Sequence, residues 1–211
     1  MNSPSTGPAR AGRRAFDRDQ ALDTALREFW LHGYETTSIA SLTRAMGINP
    51  PSLYAAFGDK RQLFGEVVQR YSQSYGDYTA RALAEPTARR AVEMLLRLAA
   101  AAYTDPGHPP GCLVVNGATN CTPAAAEVKA ELRAVREQAK GSLADKIDAD
   151  VRAGRLPAGT DAAALAMFYA SVVQGMCIQA CDGAGHAELD RVADTALDAW
   201  PTPTPAPAPG A

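Results

Sequence analysis

Between Thr36 and Phe64 the chain offers donors and cations rather than catalysts. Thr37 stands at the start of a helix with exposed backbone N–H groups, and Lys60 at the start of another. Both positions suit an anion. Ser52 is a short hydrogen-bond donor, Arg44 is a cation late in a helix, and Tyr54 carries a polar tip for a phosphate or a base edge. Nothing comparable supports catalysis. There is no G-x-S-x-G, no P-loop, no G-x-G-x-x-G and no H-E-x-x-H. His32, His108 and His186 are each remote in sequence from a Cys or Ser nucleophile. Cys112, Cys121, Cys177 and Cys181 contain no C-x-x-C and fit no usual zinc spacing. No catalytic residue, metal or cofactor is expected, which leaves recognition as the chemistry on offer.

These side chains need short helices to hold them. Thr37 or Ser38 can cap the first with a side-chain oxygen, and Ile39, Leu42 and Met46 give it one buried face. Gly47 follows, suited to the left-handed residue that ends a helix. Asn49 can cap a second helix, with Pro50 or Pro51 in its first turn, where a missing N–H does no harm. Leu53 and Phe57 face inward, leaving Ser52, Tyr54 and Ala55 on other faces. Gly58 ends this helix, and Asp59 can cap a third from Lys60. Upstream, Asp17 starts a helix with Gln20 three residues on, as in a capping box. Leu22, Ala25, Leu26, Phe29 and Trp30 form its apolar stripe, and Gly33 ends it. The plan is that of a helix-turn-helix, whose second helix enters the DNA major groove.

In order, the chain shows a first helix, Thr36-Thr37-Ser38, Leu53-Tyr54-x-x-Phe57, Gly58-Asp59-Lys60 and Leu63-Phe64. It thereby resembles the tetracycline-repressor (TetR) family of transcriptional regulators, strongly over about residues 14–70 and weakly beyond. The resemblance implies an all-α fold: a three-helix head joined by a long helix to a helical body that binds a small molecule and dimerises. It also implies that Thr37, Tyr54 and Lys60 hold DNA phosphates. The full set expected at double-stranded DNA is Arg14, Thr37, Ser38, Arg44, Asn49, Pro50, Pro51, Ser52, Tyr54 and Lys60. Pro50-Pro51 replace a frequent Lys-Gly, and Ala55 replaces a frequent His. Two donors are therefore missing, and base readout falls to apolar contacts and DNA shape.

Composition is ordinary for a globular chain of 211 residues, with 46% hydrophobic and 21% charged residues. Residues 1–70 hold nine Lys/Arg against seven Asp/Glu, and residues 71–211 twelve against sixteen. A slightly basic head on an acidic body is compatible with DNA at one end. No apolar run is read as approaching a membrane span of about 20 residues, nor the start as a signal peptide. A cytoplasmic protein with reduced thiols and no membrane partner is expected.

Residues 1–14 read as a flexible basic arm, 15–60 as the DNA-binding domain, 61–200 as the ligand-binding and dimerisation domain, and 201–211 as a disordered Pro-rich tail. A helix is expected from Lys60 to about Glu85, with Phe64, Val68, Tyr71, Tyr75 and Tyr78 along it. Thr87 can cap the next. The stretch 112–118 reads as strand or buried helix, and the family resemblance favours helix. Thr122-Pro123 opens a long charged helix, and Thr160-Asp161 opens another to about Cys181 that is apolar nearly all round, which implies burial at the centre or against a partner chain. With a last helix over 186–200 it reads as half of an intermolecular four-helix bundle, hence a homodimer on a palindromic operator. The effector pocket is expected among Tyr71, Tyr75, Leu113, Asn116, Met167 and Phe168, for an uncharged or largely apolar molecule. The leading function is a ligand-responsive repressor. One alternative is a thiol sensor at Cys112 and Cys121, with Gly111 and Pro110 leaving Cys112 accessible. Another is a helical binding protein or enzyme without DNA. Cys177 and Cys181 read as core.

Overall fold

The structure, a computed structural model, describes residues 17–119 and 121–202. The basic arm with Arg14, and the Pro-rich tail beyond residue 202, lie outside the described residues. The fold among those described is all-α, without strands.

Local signals build the head. The Asp17 carboxylate accepts from the N–H groups of Asp19 and Gln20, opening α1 (Arg18–Thr36). Gly33, at φ +74°, breaks its helical path one turn before the end. Ser38 caps α2 (Ile39–Met46) by accepting from Ser41 N–H at 3.0 Å, and Gly47 ends it in the left-handed conformation at φ +67°. Asn49 Oδ1 accepts from Ser52 N–H at 2.9 Å, opening α3 (Pro50–Phe57) with both prolines in its first turn. Asp59 and Gln62 form a reciprocal capping box for α4 (Lys60–Ser74). Each satisfies N–H groups that a helix start leaves unpaired. Leu26, Phe29, Leu42, Leu53, Phe57, Leu63 and Phe64 pack between these helices, fully or nearly buried. Phe29 meets Phe64 edge-on, ring centroids 5.0 Å apart.

The helix expected from Lys60 to Glu85 is in fact two. The N–H groups of Tyr75 and Gly76 both turn back to the Tyr71 carbonyl, and the chain restarts as α5 (Tyr78–Leu83). Gly76 permits this: a Cβ there would lie 3.0 Å from Ser72 Cα. Thr87 caps α6 (Ala88–Tyr103) as expected. The 112–118 stretch contains one helical turn, α7 (Leu113–Asn116). A 3-10 turn, Pro123–Ala125, leads into α8 (Ala126–Arg152). Asp161 caps α9 (Ala162–Cys181), and α10 (His186–Asp198) closes the body.

α9 is buried on one side only within a single chain. Ala166, Tyr169, Met176, Cys177 and Ala180 face the body, whereas Met167, Phe168 and Ile178 are 50%, 41% and 46% exposed. Two readings from sequence change here. Cys181 is exposed rather than core. And α9, with 20 residues and a mean hydropathy of 1.4 over its best window, does meet the length and composition of a membrane span. It packs against α6, α8 and α10, as a helix of a globular body does.

Candidate DNA interface and effector cavity

Pro50, Pro51, Tyr54 and Ala55 of α3 are exposed, Tyr54 by 50%, and Ser52 is half-buried. Ser38, Arg44 and Asn49 are exposed around them, Ser38 and Asn49 with side chains engaged as caps. The other cations of the described head are engaged within the chain. Arg18 pairs with Glu66 at 2.7 Å, and Arg70 with Asp19 at 2.8 Å. Arg61 pairs with Glu127 and Glu131 of α8, and Arg27 donates to the Gly107 carbonyl. Arg44 has no such partner among the described residues, so its charge faces solvent beside α3.

Two expected phosphate ligands are turned inward. The Thr37 side chain is buried, and its hydroxyl donates to the Gly33 carbonyl at 2.7 Å. It fixes the turn between α1 and α2, because a β-branched side chain at a helix junction packs where a longer donor would reach out. The Lys60 ammonium donates to the Glu35 carbonyl at 3.3 Å and lies 4.4 Å from the centre of the Tyr34 ring. Burial pushes its pKa below the usual lysine value, and Glu35 partly opposes this. Lys60 thus belongs to a joint that sequence reading missed. Tyr34 N–H donates to the Gly117 carbonyl at 2.8 Å, and Thr122 hydroxyl donates to Glu35 Oε1 at 2.8 Å. The joint ties the end of α1 to the loop after α7.

In the body, α4, α5, α6, α7, α8 and α9 line a partly open cavity of about 140 Å³. Its walls are apolar, with Ala91, Leu95, Val115 and Val173 among them, and Arg136, Lys140 and Gln174 stand at its solvent side. One end carries Tyr71, Tyr78, Tyr103 and Cys112. Of the expected pocket residues only Tyr71 lines it. Tyr75 packs instead against Trp30 and His108, at 5.2 and 5.1 Å. Leu113 is buried outside the lining, and Asn116 donates to Cys181 Sγ at 3.1 Å. Met167 and Phe168 lie on the open face of α9, since residues 167 and 168 fall opposite its packed stripe. Tyr78 stood in the expected aromatic stripe. Tyr103, at the end of an apolar helix, gave no sequence signal.

The thiols do not match the expectation of an accessible pair. Cys112 is buried under the cavity despite Gly111 and Pro110, because its backbone N–H is drawn to Cys177 Sγ at 3.1 Å. Cys121 is half-buried beside the Lys60–Glu35 joint, and burial with the Glu35 charge pushes its thiol up, away from the thiolate.

Residues 21–67 match the model of bacterial regulatory proteins of the tetR family, and residues 87–195 match a tetracyclin repressor-like C-terminal domain. The HTH-type transcriptional repressor ComR of Escherichia coli is 33% identical over 195 residues, 92% of this chain and 93% of that protein. A cysteine mutant of the TetR family regulator CifR, complexed with 26-bp operator DNA, is 43% identical with a TM-score of 0.83, over 89% of this chain and 98% of that one. A TetR-type regulator from Rhodococcus sp. RHA1 is 38% identical, with a TM-score of 0.60, over 87% and 98%. The chain belongs to the TetR family of bacterial transcriptional regulators, and it is not an enzyme.

Proposed function

We propose that this protein is a homodimeric, cytoplasmic repressor that leaves a palindromic operator when a small molecule fills the cavity of the body. The observation that carries the reading is the pairing of an uncovered recognition helix with a mostly apolar, partly open cavity in one chain. Ser38, Arg44, Asn49, Pro50, Pro51, Ser52 and Tyr54 form the DNA surface, and the N-terminal arm with Arg14 extends it. Lys60 and Thr37 support that surface from behind. The open apolar face of α9, continued by Val192 of α10, is the dimer contact. Release requires the effector to favour one of two head arrangements. Cys112 at the cavity, followed by α7 and Gly117, links the cavity to the joint at Tyr34, and Thr122 meets the joint at Glu35.

Selection of bound DNA from a random pool, followed by footprinting, tests the first half. We expect a two-fold symmetric site whose half-sites are centred about 34–36 Å apart, or a multiple of that. A protected region without symmetry, or no preferred site, refutes the operator reading.

A further inference from the structure

The hydrogen bonds at the end of the cavity do not balance. Tyr71 hydroxyl donates to Cys112 Sγ at 3.2 Å. The hydroxyls of Tyr78 and Tyr103 lie 3.0 Å apart, so one donates to the other. If Tyr103 donates, the Tyr78 proton goes to Cys112 Sγ at 3.9 Å. If Tyr78 donates, the Tyr103 proton finds no acceptor among the described residues. In the first case two phenol protons end on one sulfur, a weak acceptor; in the second one does, and the Tyr103 proton is left without an acceptor. Burial raises the pKa of all three phenols, so they keep their protons. No carboxylate lines the cavity, and its two charged residues, Arg136 and Lys140, are donors as well. Each already has a partner: Arg136 donates to the Val114 carbonyl and Lys140 pairs with Glu137. At this end, therefore, the phenol donors lack a good acceptor: the other oxygens of the lining, on Ser72, Thr79 and Gln174, make no hydrogen bond to them.

We propose that the effector is a compact, mostly apolar molecule whose carbonyl or ether oxygen is placed among the hydroxyls of Tyr71, Tyr78 and Tyr103. The proposal rests on the cavity being the effector site, and specifies what that site selects. An oxygen acceptor there takes the Tyr78 or Tyr103 proton that sulfur holds poorly. A hydrocarbon of the same shape leaves that demand unmet, at the cost of a buried, poorly satisfied donor. An ammonium group is disfavoured at this end, where it would bring more donors to phenols that already lack a good acceptor and where no carboxylate is present to pair with it. Size sets a second limit. A void of roughly 150 Å³ accepts benzene, so a single six-membered ring with one oxygen substituent matches the space.

Cyclohexanone, methylcyclohexane and cyclohexylamine are matched probes, with binding to the full-length protein measured by thermal shift and by titration calorimetry. Cyclohexanone should bind about tenfold more tightly than methylcyclohexane, the effect of one good buried hydrogen bond, and cyclohexylamine should not bind. Tyr78→Phe and Tyr103→Phe together should abolish the preference and leave hydrocarbon binding in place, with helicity checked by circular dichroism. Ala91→Leu, which fills an apolar wall, should weaken both probes alike. Equal affinity for ketone and hydrocarbon in the wild type overturns the acceptor proposal while leaving the cavity as the site. Ketone binding unaffected by Ala91→Leu places the ligand elsewhere and overturns both. No binding of either neutral probe to folded protein also overturns both.

Discussion

Arg44 and Lys60 look alike in the sequence, as two cations bracketing α3, but the structure gives them different work. Arg44 is exposed and has no partner within the described chain. Lys60 is held by the Glu35 carbonyl and the Tyr34 ring. A phosphate contact carries no sequence information and releases counterions, so it appears in the salt dependence of binding. Arg44→Ala should weaken binding about equally on all DNA sequences and reduce the salt slope by roughly one unit. Lys60→Met should leave the slope close to the wild-type value, while lowering the melting temperature through the loss of its contacts. Fluorescence anisotropy across a salt series separates the two. A full unit lost from the slope in Lys60→Met would mean that the ammonium swings out to the DNA.

Elements were legible wherever the signal was local. Asp17, Ser38, Asn49 and Asp59 cap the four head helices through neighbours at most three residues away, and such pairs are visible in a one-dimensional chain. Asp59→Ala should therefore cost about 1 kcal/mol of stability in urea unfolding, the usual value of a lost cap. The break between α4 and α5 was not legible. No proline marks it, and the requirement for Gly76 is set by its closeness to Ser72. Nor was the cavity, which joins Tyr71, Tyr103 and Cys112 from separate helices and a loop. Aromatic spacing along one helix offers Tyr75 as readily as Tyr78, and only packing against Trp30 and His108 removes it. The joint between head and body is of the same kind. Gly33 has φ +74°, and a Cβ there would lie 3.4 Å from the Gly117 carbonyl oxygen. Gly33→Ala should destabilise the chain by roughly 1–3 kcal/mol, the cost of placing a side chain at positive φ with ψ of 170°, a region essentially reserved for glycine. It should also speed hydrogen exchange at the Tyr34 amide. Unchanged exchange there would show that the bond to Gly117 survives.

At the scale of the whole molecule, the open faces of α9 and α10 are the proposed dimer contact. Phe168 and Val192 both line a shallow groove between these helices, and Gly175 has open space beside it. In a two-fold dimer the same patch meets itself, so one added charge enters the interface twice. Phe168→Glu and Gly175→Glu should each give monomers by light scattering, with operator affinity lowered because only one recognition helix engages at a time. A dimeric Phe168→Glu protein would move the interface away from α9.

The void in the body has a volumetric consequence. Its 140 Å³ corresponds to roughly 80 mL/mol, within the range of about 20–100 mL/mol by which whole proteins shrink on unfolding. Compression should therefore act on this cavity. Under hydrostatic pressure, Tyr71 and Tyr103 should report a change at the cavity before Phe29 and Phe64 report one in the head. A molecule that occupies the void should raise the unfolding pressure by removing the space that compression would otherwise reclaim.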